Sequence, residues 1–244
     1  MKRWVLGGLG ALALLCTGLA VVVWPLMQEL PELEQYPIRG LDLSHHQGEI
    51  DWYALGGHAT HQFVWIKATE GGDWVDSRFA ENWEGVRTTE MVPGAYHFFT
   101  FCTPAAEQLE NFLGQLPAPD GPRLPSVVDV EVEGNCSERP TPEVLVAELR
   151  LFSQGVEDAT GQRPMVYTTH KLATQDLRPL FEEDGHSLWV RSIHKVPTDD
   201  WVIWQYQARG QVEGIEGWVD ENAFAGSAQE FEDWVGSSPT KPVP

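Results

Sequence analysis

Residues 126–131 read Ser-Val-Val-Asp-Val-Glu, and the rest of the chain is best read outward from them. The apolar run is short and Val-rich, as in a strand buried within a parallel sheet, and it ends in acids. Asp129 and Glu131 stand at i and i+2, so in a strand both side chains leave the same face. Strand rise puts them about 6–7 Å apart along the backbone. Carboxylates that close push their pKa values apart, so one holds a proton at neutral pH while its neighbour stays charged. A general acid beside a charge stabiliser is what acetal hydrolysis requires. A metal site or a solvated turn is the other reading of such a pair, although magnesium or calcium would want more oxygen ligands than can be assigned. Glu133 follows the same alternation but falls further into the next loop.

Seven other runs share this character: Ile38–Leu43, Phe63–Ala68, Gly94–Phe99, Pro164–Thr168, Leu188–Ile193, Val202–Tyr206 and Gly217–Val219. Several segments between them have helical spacing. Asp76–Glu90 places Phe79, Trp83 and Val86 on one face. Thr103-Pro104 and Thr141-Pro142 each start a helix with a Thr cap and Pro at the first position. Strands alternating with helices, then crowding toward the C-terminus, predict a single irregular α/β barrel, TIM-like, over residues 37–235. A doubly wound open sheet is the structural alternative, but no Gly-rich turn follows the first run to support a dinucleotide site.

In such a barrel, functional side chains gather at the strands' C-terminal ends. The first strand ends in Asp42 and Ser44, followed by His45, His46 and Gln47; the second ends in Lys67 and Glu70. Later ends carry Tyr96 and His97, Asp129 and Glu131, Tyr167, Trp189 and Arg191, Gln205, and finally Asp220. Acids from the first, second, fourth and eighth strands would converge on one mouth. His45 and His46 are adjacent, point to opposite faces and suit a shared metal poorly. Only one of Tyr96 and His97 can face the interior; packing with a satisfied hydrogen bond is expected of the other. No G-x-S-x-G elbow is present to support a nucleophilic serine. No metal and no cofactor are expected.

A formal net charge of -20 leaves no basic footprint for nucleic acid. It also argues against electrostatic capture of an anionic polymer, so binding would come from stacking and hydrogen bonds. Eleven Trp suit either core packing or a sugar-binding cleft. Trp4–Met27 carries no charge and is long enough to cross roughly 30 Å of hydrocarbon. Lys2 and Arg3, in a cytoplasmic segment 1–3, would orient that span (4–27) as an inner-membrane signal anchor with the domain in the periplasm. Secretion after signal cleavage is the alternative. Residues 28–36 read as a linker and 236–244 as a flexible tail. Cys16 lies in the apolar stretch, while Cys102 and Cys136 form an even pair in an exported domain, a disulfide candidate or two unrelated thiols.

Eight segments in order resemble the glycoside hydrolase family 25 lysozymes, the Chalaropsis-type muramidases. They are GLDLSHHQGEIDW (40–52), FVWIKATEG (63–71), PGAYHFF (93–99), VVDVE (127–131), MVYTT (165–169), LWVRS (188–192), WQY (204–206) and GIEGWVDENAF (214–224). The form with FFTFC and VEGNCS resembles the Gram-negative branch, where a disulfide linking Cys102 and Cys136 would fit. The resemblance implies an irregular β/α barrel hydrolysing peptidoglycan strands between N-acetylmuramic acid and N-acetylglucosamine; separately, a monomer is expected. It implies Glu131 as general acid, Asp129 as the residue that orients or stabilises the substrate acetamido group, and Asp42 and Asp220 as the remaining active-site acids. Tyr96, Glu70, Tyr167, Trp189, Arg191 and Gln205 are the expected substrate-binding set. Glu221, where an apolar residue is usual, is expected to add charge at the cleft rim. A catalytically silent, membrane-tethered peptidoglycan-binding domain is the rival reading, and a glycosidase of another N-acetylated glycan a second.

Overall fold

Strands β1 (Arg39–Leu43), β2 (Phe63–Glu70), β4 (Val92–Phe98), β5 (Val127–Asp129), β6 (Met165–Thr169), β7 (Leu188–Arg191) and β8 (Ile203–Gly210) pair in parallel around a barrel. The wall is closed by β9 (Val219–Phe224), antiparallel to both β8 and β1. A two-residue β3 (Trp74–Val75) folds back on the end of β2 outside the barrel. This computed structural model describes residues 31–57, 60–118, 121–193 and 195–236. Segment 1–3, the expected span 4–27 and Cys16 lie outside the described residues, as does the expected tail beyond Gly236. Among the described residues no helix is long and apolar enough to cross a membrane.

The direction of β9 corrects the expectation of an eighth strand over Gly217–Val219 with Asp220 at its C-terminal end. Residues 211–218 are fewer than the dozen or more that a parallel crossover needs, so the chain turns back as a hairpin. Asp220 is therefore the second residue of a reversed strand. Reversal carries it to the mouth that the other strands reach with their C-terminal ends, directly opposite Asp42 in register.

Helices α1 (Trp52–Gly56), α2 (Phe79–Val86), α3 (Ala105–Gln115), α4 (Pro142–Thr160), α5 (His170–Thr174), α6 (Arg178–Glu182) and α7 (Ala228–Gly236) supply the other layer. The expected helix over 76–90 shrinks to α2 because Asp76 is held elsewhere: its carboxylate accepts from the amides of His45 and Arg78, each at 2.9 Å. Thr103 does not cap α3; Pro104 occupies the cap position, and Glu148 Oε2 of α4 accepts from the Ala105 amide at 2.7 Å. Thr141 and Pro142 start α4 as expected, and Gly161, with φ 74°, ends it. Residues 31–35 of the linker form a 3-10 helix rather than an irregular run. The barrel unit begins at Tyr36, whose ring packs on Trp201 at 5.1 Å.

Alternation along the strands divides the core. Outward-facing Leu41, Leu43, Val64, Ile66, Val128, Val130 and Val166 meet Phe79, Phe112, Leu149 and Phe152 of the helices. Inward-facing Phe63, Trp65, Met165, Trp189 and Ile203 fill the lower barrel, which Phe231 and Val235 of α7 stopper. Gly40 must stay small here, since a Cβ would lie 2.1 Å from the Phe63 ring. Trp65 anchors this plug, its ring 4.6 Å from that of Trp189 and its indole N–H donating to the Pro125 carbonyl at 2.9 Å.

Candidate active site

Above the aromatic plug the same inward-facing positions turn polar. Asp42 (β1), Tyr96 (β4), Asp129 (β5), Glu131 just beyond it, Tyr167 (β6), Trp189 (β7), Gln205 (β8) and Asp220 (β9) line one pocket of about 110 Å³. The pocket holds all four expected acids and four of the six residues expected to bind substrate. Trp189 forms its floor rather than a wall, being 2% exposed with its indole N–H donating to Asn222 Oδ1 at 2.8 Å. Glu70 and Arg191 are not among the lining residues. Glu70 Oε2 pairs with Lys67 Nζ at 2.7 Å, and Arg191 sends its charge toward Asp42, Glu131 and Asp220.

A chain of hydrogen bonds sets the rotamers. Tyr167 OH donates to Gln205 Oε1 at 2.9 Å, and Gln205 Nε2 donates to Asp42 Oδ2 at 3.1 Å. Asn222 Nδ2 donates to the same Asp42 oxygen at 2.8 Å. Two amide donors on one oxygen favour Asp42 as a charged carboxylate. Burial pushes its pKa up, and Asn222 and Gln205 pull it back. Asp220 has no such pair of donors. Burial and the neighbouring Asp42 charge push its pKa up to about 8, so Asp220 is the member of the couple that keeps a proton at neutral pH.

The second couple stands across the pocket. Burial and then the Glu131 charge hold the Asp129 carboxyl well above its usual range, with Lys67 opposing. Its Oδ1 is buried with no hydrogen-bond partner among the described residues. Burial also raises Glu131, while the Tyr167 hydroxyl and Arg191 pull the other way. Each couple thus holds a proton at a pH where isolated carboxyls would have lost theirs.

Lys67, a strand-end residue for which the sequence suggests no role, is 9% exposed. Its ammonium lies 5.0 Å from the Trp74 ring centroid and 4.9 Å from that of Phe98. A bulge between Lys67 and Thr69 re-aims the strand there: Thr69 bonds His97 Nδ1 at 2.7 Å on the outside, while Lys67 and Glu70 meet. His97 is the outward partner of Tyr96, with Nε2 on Gln108 Oε1 at 3.0 Å. Asn222 was missed altogether; its signal was the i+2 spacing from Asp220. Glu221 corrects the expected rim charge. Its side chain leaves the opposite face of β9, accepts from Tyr206 OH at 3.0 Å and lies 3.6 Å from His61 Nε2. His45 Nδ1 is bound to Asp76 at 2.9 Å. Cys102, after β4, and Cys136, after β5, are joined by a disulfide that ties together two loops bordering the mouth.

Residues 41–215 match the family described as glycosyl hydrolases family 25. The chain is 34% identical over 208 residues to a protein named YegX from Escherichia coli (strain K12), covering 82% of this chain and 74% of that one. It is 31% identical over 205 residues to a protein named Lysozyme M1 from Streptomyces globisporus, covering 78% and 69%. Among solved structures, a family 25 glycosyl hydrolase from Bacillus anthracis superposes with a TM-score of 0.75 at 33% identity, covering 83% of this chain and 95% of that one. The chain belongs to glycosyl hydrolase family 25 and is a glycoside hydrolase.

Proposed function

We infer that the enzyme is a muramidase, a peptidoglycan hydrolase that cleaves the β-1,4 bond between N-acetylmuramic acid and N-acetylglucosamine. The observation that carries this reading is the pair of carboxyl couples facing one pocket, Asp129 with Glu131 and Asp42 with Asp220. The family and the relatives named as lysozymes point the same way.

Glu131 is the general acid. Burial raises its pKa, and in the reactive form its proton passes to the glycosidic oxygen as the bond to the anomeric carbon breaks. Asp129 at the end of β5 and Glu131 two residues on face the same pocket, so neither is placed for attack from the opposite side of the sugar ring. The substrate's 2-acetamido oxygen attacks instead, and Asp129 orients that group. In the reactive form the shared proton sits on Glu131, and Asp129 Oδ1 accepts from the acetamido N–H, the partner it lacks among the described residues. Water then opens the cyclic intermediate, with Glu131 taking back a proton. Asp42, fixed by Gln205 and Asn222, stabilises positive charge developing at the anomeric centre. The uncharged stretch Trp4–Met27 supports a membrane anchor that holds the barrel near its polymer on the periplasmic side.

The test is end-group analysis of purified peptidoglycan digested by the protein, by mass spectrometry with and without borohydride reduction. Reducible N-acetylmuramic acid ends support the reading. Reducible N-acetylglucosamine ends would make the enzyme a glucosaminidase, and polymer binding without release would favour a silent binding domain.

A further inference from the structure

Beyond the pocket, β8 continues past Gln205 to Gly210, and residues 211–218 return the chain to β9. The returning limb brings Trp218 to the rim, two residues before Asp220 and so at most about 7 Å from it along the backbone. Unlike buried Trp65, Trp189 and Trp204, Trp218 is 58% exposed. Its placement is nevertheless fixed. The Trp218 carbonyl accepts from Gln47 Nε2 at 3.1 Å, and Gln47 Oε1 accepts from the Ser44 amide at 2.9 Å, two residues past Asp42. The indole is thus mounted on the two segments that carry Asp42 and Asp220.

The Arg209 guanidinium lies 4.6 Å from the Trp218 ring centroid. Arg78, Arg150, Arg163 and Arg178 each pair with a carboxylate. Arg209, like Arg139 and Arg191, makes no such ion pair among the described residues, in a protein of net charge -20. An arginine laid over one face of an exposed indole puts a cation next to the apolar surface that the ring leaves open. A muramyl residue has a matching pair of features, a pyranose face and a carboxylate on its 3-O-lactyl arm or on the peptide attached there.

We propose that Trp218 and Arg209 form a rim subsite for the carboxylate-bearing muramyl unit, Trp218 stacking on the sugar and Arg209 pairing with the carboxylate. The proposal rests on the muramidase reading and specifies how a strongly acidic enzyme holds an acidic polymer. It calls for kinetics of the full-length protein on three substrates: peptide-free strands with free lactyl carboxylates, the same strands converted to methylamides, and peptide-bearing strands.

Arg209→Gln is expected to lower kcat/KM on the free-carboxylate strands roughly threefold to fivefold, the size of an exposed ion pair. It should leave the methylamide strands unchanged. A loss confined to peptide-bearing strands would support the subsite and assign the carboxylate to the peptide. Trp218→Ala is expected to raise KM roughly fivefold on all three with kcat retained. Equal losses for Arg209→Gln on carboxylate and methylamide strands, or no loss on any, would overturn the subsite. A wild type inert on all three would instead overturn the muramidase reading.

Discussion

The two ends of the barrel are built from the same strands and do opposite work. Below, Phe63, Trp65, Met165 and Ile203 face inward, and α7 closes the end with Phe231 and Val235. Above, the inward-facing positions of the same wall include Asp42, Asp129, Gln205 and Asp220. Trp189 marks the boundary, packing on Trp65 with one side of its ring system and lining the pocket with the other. The lower half gains stability by removing aromatic area from water. The upper half gives some of it up, because carboxyls crowded in a buried pocket are more costly than apolar groups of similar volume. A parallel wall lets one end be tuned without disturbing the other.

Changes at each end should therefore break different properties. The largest effect is expected from Glu131→Gln, which should lower kcat about 10²- to 10⁴-fold with the unfolding midpoint unchanged or raised. Steady-state rates and urea unfolding on one preparation check it. Trp65→Ala should do the reverse, costing about 3–5 kcal/mol in the urea unfolding free energy while the surviving folded enzyme keeps the same pH profile. Asn222→Ala removes one of the two amides on Asp42 and the acceptor of the Trp189 indole. It should lower kcat/KM by roughly tenfold or more and weaken stability by about 1–3 kcal/mol.

The smallest effect concerns pH. The Asp220 pKa rises from 3.8 unfolded to about 8 folded. Between those values the unfolded chain has released a proton that the folded protein still binds, so this group lowers stability as pH rises toward 8. Asp220→Asn removes that slope and should raise stability at pH 8 by about 1–2 kcal/mol, while the difference vanishes below pH 4. Urea midpoints at the two pH values measure it. A steeper slope in the variant would mean that Asp220 is charged in the folded enzyme.

Much of this division was legible in the sequence because it follows from local pattern. Short Val- and aromatic-rich runs mark the strands, and i, i+2 spacing places Asp129 and Glu131 on one face without knowledge of the fold. What was not legible depends on pairing. The reversal of β9 follows from the short 211–218 connection, yet the acid at its start reads equally well as the end of a parallel strand. Glu221 was misplaced and Asn222 missed for the same reason, since facing directions along β9 need the register to fix them. The bulge in β2 that joins Lys67 to Glu70 left no local mark in the sequence. The α3 start was misread because Glu148, far along the chain, supplies the cap that Thr103 was expected to provide.

The central claim is that Glu131 delivers a proton to the departing sugar oxygen. It is tested most directly by comparing Glu131→Gln with wild type on glycan strands and on an aryl glycoside whose leaving group needs no protonation. The account predicts a loss of about 10²-fold or more on the strands and under about tenfold on the activated glycoside. Equal losses on both substrates, or no loss on the strands, would contradict it.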